Sequence, residues 1–201
     1  MNTTFIENNH TDMNSNELFT LIEKKLGFVP EAYKSISASK SYLNDTLYNF
    51  HKHVSEGAID LFTKHIITIA VASALHNQNA LNARLAHAKS EGVNDDLITE
   101  AIAVTGNIMT QNIFFKFQRL AGTSEYSNFR PAYKLNTMLN AQHLSQLQVE
   151  SICIAISLLN DCADCLRGHI ESFHKYGGSN SQLEEVLRVT ALTSGFCTTT
   201  F

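Results

Sequence analysis

Apolar residues recur at intervals of three and four along most of the chain. Ile59, Phe62, Ile66, Ile69, Ala70 and Ser73 step in this way. So do Leu144, Leu147, Ser151, Ile154, Ala155 and Leu158, and then Leu183, Val186, Leu187 and Thr190. This spacing lays the side chains along one stripe of an α-helix. No run of four or more residues alternates apolar and polar between turn signals, so the pattern predicts an all-α protein. Helices are expected near 16–26, 40–53, 58–77, 80–91, 95–120, 144–159, 162–176 and 180–195.

A shift of 85 residues lays Ile59–Thr105 on Leu144–Thr190 without gaps. Ile67 then falls on Ile152, Ile69 on Ile154, Ala70 on Ala155, Leu81 on Leu166, Gly92 on Gly177, Glu100 on Glu185 and Thr105 on Thr190. We read this as an internal duplication of a three-helix unit. The least helical stretch, Gly122 to Pro131, divides the copies. The expected organisation is a flexible N-terminus over 1–15, an N-terminal helical half over 16–121, a linker over 122–142 and a C-terminal helical half over 143–201.

Composition narrows the picture. Two prolines and nine glycines in 201 residues are few for a many-turned sandwich or barrel. A net charge of −4 argues against binding nucleic acid by charge. The longest apolar stretch, about Ile66 to Leu75, is far short of the ~20 residues of a membrane helix. Met1 to Asn16 is polar and lacks the apolar core of a signal peptide. The expectation is a cytoplasmic protein with no membrane and no nucleic-acid partner. Four cysteines are too few for a disulfide scaffold at this length.

Two of the four form Cys162-Ala163-Asp164-Cys165, and only the second copy has this pair: Cys162 lies opposite Asn77, Cys165 opposite Ala80, His169 opposite Arg84 and Glu150 opposite His65. Asn160 or Asp161 is expected to cap the following helix, with Cys162 in its first turn and Cys165 one turn on. His169 shares the face of Cys165. A helix N-terminus stabilises a thiolate, and a histidine one turn along can hold or pass its proton. Glu150, on the preceding helix among apolar neighbours, can complete a proton relay. The combination reads as a reactive dithiol. Two other readings stay open: an inert pair, or a zinc site of Cys162, Cys165 and His169 with a fourth ligand from His87, His174 or Glu150. Cys153 is expected to be a buried apolar residue, Cys197 structural, and Phe114, Phe115 and Phe117 core or subunit interface. His65, His76 and His87 are expected to be hydrogen-bonded or surface histidines.

Glu150, Cys162, Cys165 and His169 together resemble the E-x11-C-x2-C-x3-H pattern of AhpD-type alkyl hydroperoxidases, within the carboxymuconolactone decarboxylase-like superfamily. Gly106-Asn107-Ile108-Met109 with Asn112 and Phe114-Phe115-Lys116-Phe117 resembles the long helix before that family's linker. Leu26-Gly27-Phe28-Val29-Pro30 resembles its N-terminal turn. The resemblance covers roughly residues 15–197 and implies an all-α bundle of two similar halves, commonly a homotrimer. It implies an antioxidant enzyme that reduces organic hydroperoxides or recycles an AhpC-type peroxiredoxin through a Cys162/Cys165 redox disulfide. No cofactor is expected to be tightly bound and no metal ligand is expected. Electrons would come from dihydrolipoamide on the lipoyl domain of a 2-oxo acid dehydrogenase complex. By position, Cys165 would attack the peroxide, Cys162 would resolve the product, and His169 with Glu150 would be the relay. One departure is Asp164, where well-known members carry histidine between the cysteines; its negative charge disfavours a thiolate beside it. The alternatives are a carboxymuconolactone decarboxylase-like lyase and a non-enzymatic redox-sensing or zinc-stabilised module.

Overall fold

In the computed structural model the described residues are 14–200. Most of the expected N-terminal segment, residues 1–13, lies outside them. The described residues form ten α-helices and no strand: α1 (Ser15–Leu26), α2 (Glu31–Ser35), α3 (Lys40–His53), α4 (Leu61–Ala74), α5 (Gln78–Ser90), α6 (Asp95–Leu120), α7 (Asn136–Leu139), α8 (Gln146–Leu159), α9 (Ala163–Lys175) and α10 (Asn180–Thr199). The all-α expectation holds. The periodicity missed α2 and α7, which are too short to show a repeating stripe, and a single 3₁₀ turn at Ser124–Tyr126.

The duplication is visible in backbone detail. α4–α5–α6 and α8–α9–α10 are the two copies. Their first helices are capped at equivalent positions, by Asp60 on Thr63 N–H and by Ser145 on Gln148 N–H. Each first helix ends in the same turn, where His76 and Asp161 both take φ 53°. Asn, Asp and His enter this left-handed region more readily than other side chains. Gly92 and Gly177, at φ 88° and 90°, close the second helix of each copy, where a side chain would be strained. Asn94 and Ser179 then cap the third helices.

The copies also strap each other. Glu100 on α6 accepts the backbone N–H groups of Gln142, His143 and Leu144, each at 2.7 Å, at the entrance to α8. Its counterpart Glu185 on α10 accepts those of Ala58 and Ile59, at 3.0 and 2.9 Å, at the entrance to α4. Gln148 donates to its own counterpart-by-duplication, Thr63, at 3.0 Å. These reciprocal contacts define a pseudo-two-fold relation between the copies. One core serves both: Ile66, Ile69 and Val104 from the first pack with Ile152, Ile154, Val186 and Val189 from the second. A second cluster seats α1–α3 on α5 and the C-terminal end of α10, around Leu18, Tyr33, Leu43, Phe50 and Phe196. No helix among the described residues is long and apolar enough to cross a membrane.

Candidate dithiol site

The site lies on α9, with its thiols at that helix's start. α8 ends at Asn160 and the chain reverses through Asp161; the Cys162 N–H bonds back to the Ser157 carbonyl at 3.0 Å. The turn is held by the far half of α6. Lys116 donates to the Asn160 carbonyl at 2.9 Å. Arg119 donates to the Asp161 carbonyl at 2.9 Å and its carboxylate at 3.0 Å. Asn160 contacts the Met109 sulfur, and Ser157 bonds Asn112. The polar positions of the long helix thus anchor the loop that aims the cysteines.

Cys162 occupies the N-cap position of α9, with no side chain capping the helix. This corrects the expectation that Asn160 or Asp161 caps it and that Cys162 lies inside the first turn: Asn160 terminates α8, and Asp161 is turned to Arg119. The first free N–H groups of α9 are therefore left without a side-chain acceptor beside the thiols. Cys162 and Cys165 are joined in a disulfide, their Cα atoms 5.3 Å apart. Cys162 is buried; Cys165, one turn along, is part-exposed and lines a cleft. Asp164 is exposed and paired with Arg167, so its charge is partly answered on the helix surface.

His169 Nδ1 donates to the Glu150 carboxylate at 2.7 Å, and the two side chains are 16% and 12% exposed. Cys165, Glu150 and His169 line one cleft, and the buried Cys162, outside that lining, is bonded to Cys165. The cleft, about 530 Å³, is walled by Phe115 and Gln111 of α6, Met138 and Leu139 of α7, and Tyr176 at the end of α9. Its acidic lining side chains are Glu150 and Asp164, with His169 beside them; no lysine or arginine lines it. Phe115 is thus a cleft wall rather than core, and Phe117 is exposed and stacked against Phe129 of the connecting segment.

The sequence reading missed one neighbour. Cys153, three residues after Glu150 on α8, places its sulfur within 4.8 Å of both the Glu150 carboxylate and a His169 ring nitrogen. Its i,i+3 spacing to Glu150 was the available signal. Burial, and then the Glu150 charge, push its thiol pKa well above the ordinary range. It stays protonated and is a poor nucleophile. Of the zinc set weighed from sequence, the two cysteines are bonded to each other and Glu150 to His169, His174 bonds the Gly178 carbonyl at 2.8 Å, and His87 lies in the other copy against Tyr33. Glu150, Cys153 and His169 are the one metal-capable trio among the described residues, and two of them already hold each other.

Comparison with known proteins shows what the chain is similar to. Residues 125–200 match the carboxymuconolactone decarboxylase family. That span holds Glu150, Cys162, Cys165 and His169. The chain is also similar to proteins named alkyl hydroperoxide reductase AhpD. One from Anaeromyxobacter dehalogenans (strain 2CP-1 / ATCC BAA-258) is 25% identical over 148 residues, 74% of this chain and 78% of the relative. One from Coxiella burnetii (strain RSA 493 / Nine Mile phase I) is 27% identical over 156 residues, 77% and 88%. One from Maricaulis maris (strain MCS10) is 25% identical over 161 residues, 78% and 92%. The AhpD-like resemblance read from the motif is upheld, and the similarity to these relatives covers about three quarters of the chain.

Proposed function

We propose that this AhpD-like protein is an antioxidant thiol peroxidase and disulfide reductase acting through Cys162 and Cys165. One observation carries the reading: a part-exposed sulfur at a helix N-terminus shares a cleft with a hydrogen-bonded Glu150–His169 pair, and its partner sulfur is buried behind it. In the reduced state the relay takes the Cys165 proton, and the helix N-terminus favours the thiolate. The thiolate attacks the outer oxygen of an organic hydroperoxide. The O–O bond breaks, the alkoxide leaves as alcohol with the relay proton, and Cys165 becomes a sulfenic acid. Cys162 sulfur then attacks Cys165 sulfur, expels water and closes the disulfide. Dihydrolipoamide reopens it by thiol–disulfide exchange at the accessible Cys165, ending as oxidised lipoamide. The sum is hydroperoxide plus dihydrolipoamide giving alcohol, water and lipoamide. An AhpC-type peroxiredoxin disulfide is reduced by the same exchange run outward.

The cleft favours this reading over a carboxymuconolactone decarboxylase-like lyase. An acidic lactone needs cationic side chains, and the lining offers carboxylates instead. An uncharged hydroperoxide suits walls of Phe115, Met138, Leu139 and Tyr176. The exposed Ile113, Leu120 and Leu139 are available to be covered in the homotrimer that the resemblance implies. The test is peroxide-dependent oxidation of dihydrolipoamide by wild type, Cys162→Ser and Cys165→Ser. Turnover in wild type and loss in both variants is expected; equal rates in all three would sink the proposal.

A further inference from the structure

The first copy holds a second cavity where the dithiol relay has its duplicate, and its chemistry is inverted. At the positions of Glu150 and His169 stand His65 and Arg84. Both are buried, at 5% and 3% exposure, and both line a cavity of about 140 Å³. The cavity lies among α1, α2, α3, α4 and α5. Its apolar walls include Leu18, Leu21, Ile22 and Phe50.

Its polar groups are not satisfied from within. Arg84 donates to the Tyr33 hydroxyl, which bonds His87 Nε2 at 2.8 Å. The Arg84 Nε and the His65 Nε2 have no hydrogen-bond partner. No carboxylate lies within ion-pair distance of Arg84 among the described residues; Glu91, the acidic side chain at the cavity, is engaged by Lys25 at 2.6 Å. Nor do the neighbours supply a compensating charge. Burial raises the Tyr33 pKa despite Arg84, so the phenol stays protonated. Burial, and then Arg84, hold His65 at about 4 and His87 well below its ordinary value, so both are neutral at pH 7. The faces of Phe50 and Phe196, 3.9 and 5.0 Å from the guanidinium carbon, soften the isolation of the cation without neutralising it. One buried positive charge is left over in a space with an apolar wall, and buried charges are normally paired.

We propose that this cavity is a binding site for a small monocarboxylate with an apolar body, its head on Arg84 and its tail among Leu18, Leu21, Ile22 and Phe50. A guanidinium is matched to a carboxylate in geometry and charge. The size fixes the tail: a cavity of ~150 Å³ accepts a benzene-sized body, which corresponds to an acid of about six carbons. The ligand sits in the opposite copy from the thiols and does not depend on the peroxidase reading.

The probe is hexanoate, titrated into the full chain by calorimetry and by saturation-transfer NMR. Hexan-1-ol has the tail without the charge, and inorganic phosphate the charge without the tail. Hexanoate is expected to bind at least tenfold more tightly than either. Arg84→Met, which keeps the stem in its packing, is expected to weaken hexanoate at least tenfold. Leu21→Trp fills the cavity from its half-exposed mouth with Arg84 intact, and covers the case in which Arg84→Met does not fold; it is expected to abolish binding. The Cys162→Ser/Cys165→Ser protein is expected to bind as wild type. No binding of hexanoate, equal binding of hexan-1-ol or phosphate, or wild-type affinity in Leu21→Trp would each overturn the proposal, as would loss of binding on removal of the thiols.

Discussion

Replacing Glu185 by glutamine removes a charge from the strap that fastens the second copy to the first. Its carboxylate accepts two backbone N–H groups and pairs with Lys64 at 2.9 Å. Lys64 is 3% exposed on its side chain, and its other acceptor is the Ser55 carbonyl at 2.7 Å. Gly57 lets the carboxylate approach, since a Cβ there would collide with it. Breaking a buried pair from one side costs about 3–5 kcal/mol. Lys64 keeps one acceptor and Glu185 is 19% exposed, so we expect about 2–4 kcal/mol. For a chain of this length that is a Tm drop of roughly 4–16 °C. Glu100→Gln is the internal control: the same strap with three backbone donors and no buried lysine, expected at about 1–2 kcal/mol. Adding Lys64→Met to Glu185→Gln removes the orphaned ammonium and should restore part of the loss. Burial alone would raise the Glu185 pKa, but the two N–H groups and Lys64 together hold it below its ordinary value. Its contribution is thus present above the unfolded value of 4.5 and fades as pH falls through the lower folded value, so the cost of Glu185→Gln should shrink in acid. The assay is urea unfolding by far-UV circular dichroism at one fixed protein concentration. A loss under 1 kcal/mol, or one no larger than that of Glu100→Gln, would refute the reasoning.

Three further outcomes follow from the same structure. His65 titrates near 4 in the folded chain and 6.5 when unfolded, so folding excludes a proton that the unfolded chain binds. Its stability contribution is full above pH 6.5 and falls by about 2 kcal/mol by pH 5, at 1.36 kcal/mol per unit; the pH slope of urea unfolding should flatten in His65→Gln, and an unchanged slope would contradict this. Gly178→Ala forces a Cβ into the Phe173 ring and should cost about 1–3 kcal/mol in thermal unfolding, against no loss if the ring had room. In reduced protein, iodoacetamide followed by peptide mass spectrometry should label Cys165 first and leave Cys153 and Cys197 unmodified; burial lifts Cys197 to about 11 and Cys153 well above its ordinary value.

What the sequence made legible follows the range of each physical signal. Long amphipathic helices declare themselves by repetition, and α3 and α6 fall on their expected bounds. The shift of 85 residues aligned Glu100 with Glu185 but could not show that each carboxylate reaches into the other copy, a contact across more than 40 residues. Glu150, Cys162, Cys165 and His169 were legible because helical spacing and a short connection constrain them locally. The capping guess failed at Asp161, because a left-handed turn held by Arg119 was worth more there than a cap. Tyr33, His65, Arg84 and His87 come from three helices and form a cluster only in three dimensions; their one advance sign was the exchange of Glu150 and His169 for His65 and Arg84 across the duplication.

The central claim is that Cys165 is the peroxide-reactive sulfur and Cys162 its resolving partner. It is tested by mixing reduced Cys162→Ser protein with an organic hydroperoxide, trapping sulfenic acid with dimedone and mapping the adduct by mass spectrometry. The account predicts one adduct, on Cys165, formed much faster than on a free thiol and slowed in Glu150→Gln and His169→Gln backgrounds. An adduct on Cys153 or Cys197 instead, or reaction no faster than a free thiol, would contradict it.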